Sequence, residues 1–441
     1  MSNSLPSSIE VVIVGAGPSG LATALGLAAR QIPFVIVDAL DTEGHNGSRA
    51  IALNPGALEA LAAFNPQVSA DIVAAGIQGQ AMTMVDRNDK TVFRIPFKDN
   101  LEAHTQFPFG LVLPQHAAER QMRRGLQRLN HHVHYSKRVT HIAEVAQGSQ
   151  YELRFESGEV LTARYVVAAD GSKSFLRSFA GISFLDPYTN KPSAPGPADL
   201  SSVVADVLFD KSTISRLPRN GMQIRLGDDG FMLTGPMLDP ALSDEQSQTL
   251  FRLYIGVPHT PPSHPDIEYL QKILDERGPG SATTPRDVPK ISKVLDSSRF
   301  RTRNALADKF MHATKGGAYI ILVGDAAHTH GPAGGQGMGL GVADGAELTE
   351  AIHACLQAEK TDAERILEAY ATRRRGFARH VIDLVQRMSE TEKGGAGWGQ
   401  YLHVNFLWLL TRVPLVKRAM AWDVSGLGRV SLRATEALKS M

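Results

Sequence analysis

Three short segments carry residues whose types and spacing could do chemistry. Gly15-Ala16-Gly17-Pro18-Ser19-Gly20 is a G-x-G-x-x-G placed directly after the apolar run Glu10 to Val14. Asp38 stands 18 residues past Gly20, at the end of a second apolar run, Pro33 to Val37. Strand, glycine turn, helix, strand and carboxylate in that order form a dinucleotide-binding fingerprint. Gly15 permits the tight turn, Gly17 lets backbone approach a pyrophosphate, and Gly20 lets helix and strand pack closely. Ser19 lies between them, and the helix end offers unpaired N–H groups and a positive dipole end to phosphates. With 40 glycines in the chain, the pattern without this context would be weak.

The other two segments also end apolar runs. Val166 to Ala169 leads into Asp170-Gly171-Ser172, with Arg177 seven residues after Asp170. Ile321-Leu322-Val323 leads into Gly324-Asp325-Ala326-Ala327-His328, then His330, Pro332 and Gly334-Gly335-Gln336-Gly337-Met338. Taken singly, Asp170-Gly171 reads as a turn and Asp325 as a helix N-cap. Taken together with the first segment, they can hold a phosphate-linked polyol chain and a flat ring against backbone.

The three motifs in this order resemble those of the class A flavoprotein monooxygenases, the para-hydroxybenzoate hydroxylase-like group of FAD-dependent aromatic hydroxylases. They span Gly15 to Met338, about three quarters of the chain. The resemblance implies that Asp38 binds the adenosine ribose of FAD, that Asp325 and Gly324 meet its ribityl chain, and that Asp170 lies near both FAD and the nicotinamide cofactor. It further implies that Arg49 lies beside the isoalloxazine, that Gln115 contacts FAD, and that Val139 offers backbone to the adenine. By the same likeness Pro332 faces the reactive side of the flavin, and Gly335, Gly337 and Met338 bring N–H groups to its ring. The next position departs from the pattern: many relatives carry Asn where this chain has Gly339, so a backbone contact replaces a side-chain one.

The family reaction implied is hydroxylation of a phenolic substrate with NADPH or NADH and O2 as co-substrates, through a flavin C4a-hydroperoxide. A phenol reacts more readily as its phenolate, so a base is expected at the pocket; His330, Tyr188 and Arg225 are candidates by location. Only one strand–glycine–helix fingerprint is present, so NAD(P)H either docks transiently on the FAD and substrate domains or is not used; the resemblance implies the first. Other reactions on the same FAD scaffold, epoxidation or isoprenoid reduction, and a non-catalytic flavin-binding protein stand as alternatives. Trp398, Trp408 and Trp422 make no closely spaced pair of the kind a halogenase would want, and the absence of G-x-S-x-G removes the hydrolase reading.

Composition narrows the class. The 441 residues carry 46 Lys and Arg against 45 Asp and Glu, a net charge of +1, and no long basic block, so nucleic acid is not an expected partner. His131, His132 and His134 sit in a polar connection without a carboxylate at ligand spacing, so no metal site is expected. The single cysteine, Cys355, excludes an internal disulfide and points to a reducing compartment. The polar N-terminus lacks a signal-peptide pattern, and no apolar run reaches the ~20 residues that span a bilayer. The expectation is a cytoplasmic protein, monomer or homodimer, whose partners are small molecules.

These motifs need elements to position them. The apolar runs read as buried parallel strands, the segments Pro18 to Arg30, Pro55 to Phe64, Pro114 to Leu129 and Val342 to Leu356 as helices. Val139 to Val145, Tyr151 to Phe155 and Val160 to Thr162 read as an antiparallel meander, and Tyr165 to Ala169 as a separate strand. The fold expected is α/β: a Rossmann-like, three-layer FAD-binding domain with an inserted, mainly antiparallel β substrate domain and C-terminal helices. The boundaries expected are FAD-binding segments at 1–80, 109–186 and 290–360, substrate-domain segments at 81–108 and 187–289, and a helical region at 361–441.

Overall fold

The computed structural model describes residues 4–42, 50–193, 201–227, 230–239, 242–301, 303–392 and 411–430. Its first sheet is built on five parallel strands in the order Tyr319–Leu322, Val160–Ala168, Ser8–Val14, Phe34–Val37 and Val133–His134, with Met311–Ala313 antiparallel at one edge. The central strands read VVIV, FVIV, YVVA and YIIL because they are buried on both faces, in a core shared with helix residues such as Leu21, Leu25 and Met122 and with Ile142, Tyr151 and Leu153 of the antiparallel meander. Val160–Ala168 is one continuous strand, not the two that the sequence suggests. On one side its first half pairs antiparallel with Gln150–Phe155 and alternates in burial, and its second half pairs parallel with Tyr319–Leu322 and is buried throughout; Ser8–Val14 runs along the other side. The change of partner, invisible in a single chain, makes one strand look like two.

The second sheet has seven strands: Ile291–Arg301, Ser201–Phe209, Leu250–Val257, Gly230–Pro236, Gln223–Gly227, Ala81–Val85 and Thr91–Pro96, in that order. All neighbours are antiparallel except Gln223–Gly227 with Ala81–Val85. Ile291–Arg301 belongs to this sheet, although it lies past the 289/290 boundary expected from the sequence. Its alternating Ser, Lys, Asp and Arg residues hid its membership; it is an edge strand with one partner. Val203, Ala205, Val207 and Phe209 face the helix Ile267–Arg277 and fill a separate core with Phe251, Leu253 and Leu270. The opposite face, carrying Val204, Leu208 and Tyr254, packs with Ile51 and with Val112 and Ile77 from a small third sheet of Ala52–Leu53, Gly110–Val112 and Ile77–Gly79.

The helix Gln336–Gln357 begins six residues earlier than the sequence suggests. Gly337, Gly339 and Gly341 are poor helix formers, but packing overrides propensity here. A Cβ on Gly345 would lie 2.5 Å from the Ser19 carbonyl oxygen and 2.6 Å from Thr23 Oγ1, so the glycines let this helix press against Pro18–Ala29. Among the described residues, no helix is long and apolar enough to cross a membrane.

Candidate active site

The parallel strands all end at one edge of the first sheet. Gly15 N donates to Val37 O (2.8 Å), Ala169 N to Val14 O (2.9 Å) and Val323 N to Ala168 O (3.1 Å). The loops that start at Gly15, Asp38, Asp170 and Gly324 therefore emerge side by side, which is where open α/β sheets hold ligands. Segments more than a hundred residues apart become neighbours through strand pairing. Gly15 has φ +108°, and a Cβ there would stand 2.2 Å from the Ala169 carbonyl oxygen. Gly17 has open space around its would-be Cβ.

Two helices present bare N-termini to this crevice. Pro18–Ala29 and Gln336–Gln357 have glycine N-caps, Gly17 and Gly335, and neither has a side chain capping its first N–H groups. Such ends suit phosphate and carbonyl oxygens. Asp38 is fixed over the glycine turn, its Oδ2 accepting from Ala16 N (2.7 Å) and Oδ1 from Leu40 N (2.8 Å). Asp170 accepts from Leu176 N through Oδ2 (3.1 Å), while its Oδ1 is buried with no hydrogen-bond partner among the described residues. Burial raises its carboxyl above the usual range, against the hydrogen bonds that hold it down. Arg177 ties the second motif to the third, donating to Ser172 O (3.0 Å) and Ala326 O (2.9 Å) while stacked 3.9 Å over the Phe184 ring.

One cavity of about 790 Å³ runs along these loops and under the second sheet. Of the residues singled out from the sequence, Gly15, Gly17, Ser19, Asp38, Gln115, Val139, Asp170, Asp325, His330, Pro332, Gly335, Gly337 and Met338 line it. Gly20 and Gly324 lie just behind the wall: a Cβ on Gly20 would be 2.0 Å from Gly15 O, and one on Gly324 2.1 Å from Ser19 Oγ. Gly339 also lies behind it, because the Asn54 carboxamide fills the space its side chain would take, with Nδ2 2.7 Å from the would-be Cβ. Asn54 lines the cavity, and its Oδ1 caps the helix Pro55–Phe64 by accepting from Ala57 N (2.9 Å). Sequence reading missed it, although Asn before Pro at a helix start is a readable cap. Arg49 lies outside the described residues.

Two candidate bases are not brought to the cavity. Tyr188 is exposed beside Arg379, its hydroxyl 3.4 Å from Ile382 O on a C-terminal helix. Arg225 alternates with cavity-lining Ile224 on its strand, so it points to the other face, where it pairs with Asp89 and donates to Asp86 O (3.0 Å). Strand periodicity decided the outcome for Arg225, whereas Tyr188 lies in a turn after the strand Phe184–Leu185. His330 is the candidate that does reach the site. Its Nδ1 lies 2.7 Å from the Gly331 carbonyl oxygen, which can only accept, so the proton sits on Nδ1 and Nε2 carries a lone pair. That Nε2 is buried without a partner among the described residues. Burial, with His328 and Arg429 nearby, pushes the imidazole down to about 4, so it is neutral at pH 7.

The model of the FAD binding domain matches residues 8–385. The chain belongs to that family. Its relatives include the 6-methylpretetramide 4-monooxygenase of Streptomyces rimosus, 26% identical over 83% of this chain and 59% of that protein. The rifampicin monooxygenase of Streptomyces venezuelae is 24% identical over 87% of this chain and 72% of its own length. In fold, the p-nitrophenol 4-monooxygenase PnpA of Pseudomonas putida DLL-E4 superposes with TM-score 0.75, covering 96% of this chain and 99% of that one at 22% identity. Klebsiella pneumoniae HpxO, complexed with FAD and uric acid, superposes with TM-score 0.69 at 18% identity, covering 94% and 96%. The likeness to class A flavoprotein monooxygenases and FAD as the cofactor are both borne out.

Behind the third motif, this FAD-binding fold holds a closed polar cluster that sequence reading did not anticipate. Asp344 Oδ2 accepts from Gly324 N (3.1 Å) and from His328 Nε2 (2.7 Å), and its Oδ1 accepts from Arg374 Nε (2.7 Å). Arg374 also reaches Glu347 (3.1 Å) and the Arg429 carbonyl oxygen (2.6 Å). Burial pushes the Asp344 carboxyl up, but Arg374 and His328 outweigh it and hold the group down at about 2. Arg374 is fully buried, while its neighbours Arg373 and Arg375 are exposed. Arg429 Nη1 donates to Gln336 Oε1 (2.6 Å), and Gln336 Nε2 donates to Gly334 O (2.7 Å), so the C-terminal segment grips the flavin-side turn. Among the described residues, no group of His, Cys, Asp and Glu is placed to hold a metal.

Proposed function

We propose that the protein hydroxylates a phenolic aromatic, consuming O2 and NAD(P)H, with His330 as the group that takes the substrate hydroxyl proton. The observation that carries this reading is the continuity of the cavity. It begins at a dinucleotide crevice and ends, past His330, against an apolar sheet face, with no break between cofactor-holding and substrate-holding walls. FAD, once bound, supplies the electron and oxygen chemistry.

The chain's own residues do the rest. The bare end of Pro18–Ala29 and Asp38 would hold the pyrophosphate and adenosine ribose, with Val139 and Gln115 alongside. Asp325 would hold the ribityl chain, and the turn from Pro332 to Met338 would present N–H groups to the ring. Apolar walls exclude water, which strengthens every polar contact inside. The His330 Nε2 lone pair accepts a hydrogen bond from the phenolic hydroxyl and takes its proton once attack on the ring has made that hydroxyl strongly acidic, while the Gly331 carbonyl stabilises the imidazole as it takes charge. Asp170 lies beside the glycine turn at the cavity wall, where the family likeness puts the nicotinamide approach. The buried thiol of Cys355 supports a reducing, cytoplasmic setting.

Purified protein should be yellow and release FAD, identified by mass, on denaturation. A panel of phenols should contain members that stimulate NAD(P)H oxidation and leave a product heavier by one oxygen. A protein that holds no flavin, or oxidises NAD(P)H at one rate whatever phenol is added, would sink the reading.

A further inference from the structure

The far end of the cavity is a sheet face whose composition can be read strand by strand. Val204 pairs with Tyr254, Tyr254 with Leu233, and Leu233 with Ile224, so four adjacent strands each set one side chain in a single row across the floor. Beside this row stand Phe231, Phe300, Met222, Met82 and Phe97. Gly256 makes room for one of these rings: a Cβ there would lie 2.7 Å from Phe231 Cε1. The wall is thus rich in ring faces and thioethers, which favour flat aromatic ligands without demanding a charge.

The cations nearest this floor are spent elsewhere. Arg252 shares a face with Tyr254, yet it is buried and held bidentate by Asp206 (2.6 Å to each oxygen), with a further bond to Ala50 O (3.1 Å). Arg225 points through the sheet to Asp89. Lys137 and Arg138 line the cavity at the Asp38 end and pair with Glu159 and Glu156, and exposed Lys173 lines it beside Asp170, away from the floor strands. Among the described residues, no cationic side chain lines the floor, and the flavin side of the cavity carries the neutral His330 with the carboxyl groups of Asp170 and Asp325. Among these residues a buried carboxylate would meet no free counter-charge, and an unpaired buried charge is strongly disfavoured.

We infer that the substrate is an uncharged aromatic, with a hydroxyl that meets His330 Nε2 and an apolar remainder spread over the floor of the second sheet, and that carboxylate-bearing aromatics are rejected. This rests on the hydroxylase reading and narrows it. The site discriminates by charge: a hydroxyl finds an acceptor in His330, whereas a carboxylate finds no free cation among the described residues of the floor.

The test is a matched pair, 2-naphthol against 6-hydroxy-2-naphthoate, titrated into FAD-loaded enzyme at pH 7.5 and followed by the change in the bound flavin's absorbance. The neutral compound should bind at least ~30-fold more tightly, about 2 kcal/mol. Equal or tighter binding of the carboxylate overturns the inference, as does failure of 2-naphthol to perturb the spectrum. A Leu233→Arg variant that retains FAD should shrink or reverse the ratio; a ratio unmoved in such a variant also counts against the floor as the discriminating surface. Wild-type binding alone decides the charge question should that variant not fold. Oxygen insertion is read separately by product mass. Preferential binding of 2-naphthol and its neutral analogues without any hydroxylated product would leave the charge preference standing and remove the hydroxylase reading instead.

Discussion

At the scale of single residues, His330 and Asp38 make the sharpest claims. His330→Gln removes the Nε2 lone pair, and turnover on a true substrate should fall ~10²–10⁴-fold, with FAD content unchanged. Rates per bound flavin, measured by stopped flow, check this; a variant as fast as wild type would exclude the proton-acceptor role. Because burial holds the imidazole down at about 4, its loss of activity on acidification should come well below the usual histidine range, between about pH 5 and 4. A limb centred near 6.5 would show instead that the ring is solvated. Asp38→Ala deletes a carboxylate anchored by two backbone N–H groups at the crevice. FAD should bind ~1.5–3 kcal/mol more weakly, from the loss of a charge-assisted bond. A fluorescence titration of apoprotein with FAD measures the difference directly.

Between elements, the close approach of Pro18–Ala29 and Gln336–Gln357 is what holds the two bare helix ends at one cavity. Gly345→Val would drive a side chain into the Ser19 carbonyl oxygen and Thr23. Overpacking of this kind costs ~1–3 kcal/mol, and here it would also part the helix ends. Both the melting temperature and FAD retention should drop. Gly376 gives the matched control, since a Cβ there meets nothing within 4 Å in the helix Lys360–Glu392. Gly376→Ala should leave FAD binding alone and raise stability by ~0.5–1 kcal/mol. If Gly345→Val kept its flavin and its melting point, the packing account of the glycine stripe would be wrong.

For the whole molecule, the buried Asp344 cluster joins the third motif, the long C-terminal helix and the segment ending at Arg429. Removing one partner strands the others, so Asp344→Ala should destabilise by ~3–5 kcal/mol, read from urea unfolding. The same cluster sets part of the acid response. Asp344 is depressed to about 2 in the fold, so its contribution is complete above the unfolded carboxylate value and is lost as pH falls from about 3.8 through about 2. His330 is also depressed, and it stays neutral while an unfolded histidine would take up a proton, so its contribution fades earlier, from about 6.5 down to about 4. Stability of the FAD-free protein should therefore fall in two stages on acidification. His330→Gln should shrink the first stage, to which His116, His131 and His134, also lowered by burial, contribute, and leave the second.

The dinucleotide crevice was legible from sequence because its parts are local: each apolar run ends in its own glycine or aspartate, and strand chemistry requires that order wherever the segment lies. The positions of Asp38, Asp170 and Asp325 at one edge follow from that rule plus parallel pairing. What decides the substrate end is not local. Ile224 faces the cavity and Arg225 does not, Asn54 fills the space beside Gly339, and Arg374 is buried in a run of three arginines. Each of these depends on which face of a strand or helix meets a partner distant in sequence. The sequence by itself determined the dinucleotide crevice and the class of fold, since both rest on backbone geometry written in glycines and strand ends, while FAD as the occupant followed from the resemblance that the three motifs carry. Only the tertiary structure decided which side chains share the chamber with the flavin, because a residue's neighbours across a sheet are set by register and packing rather than by its own type.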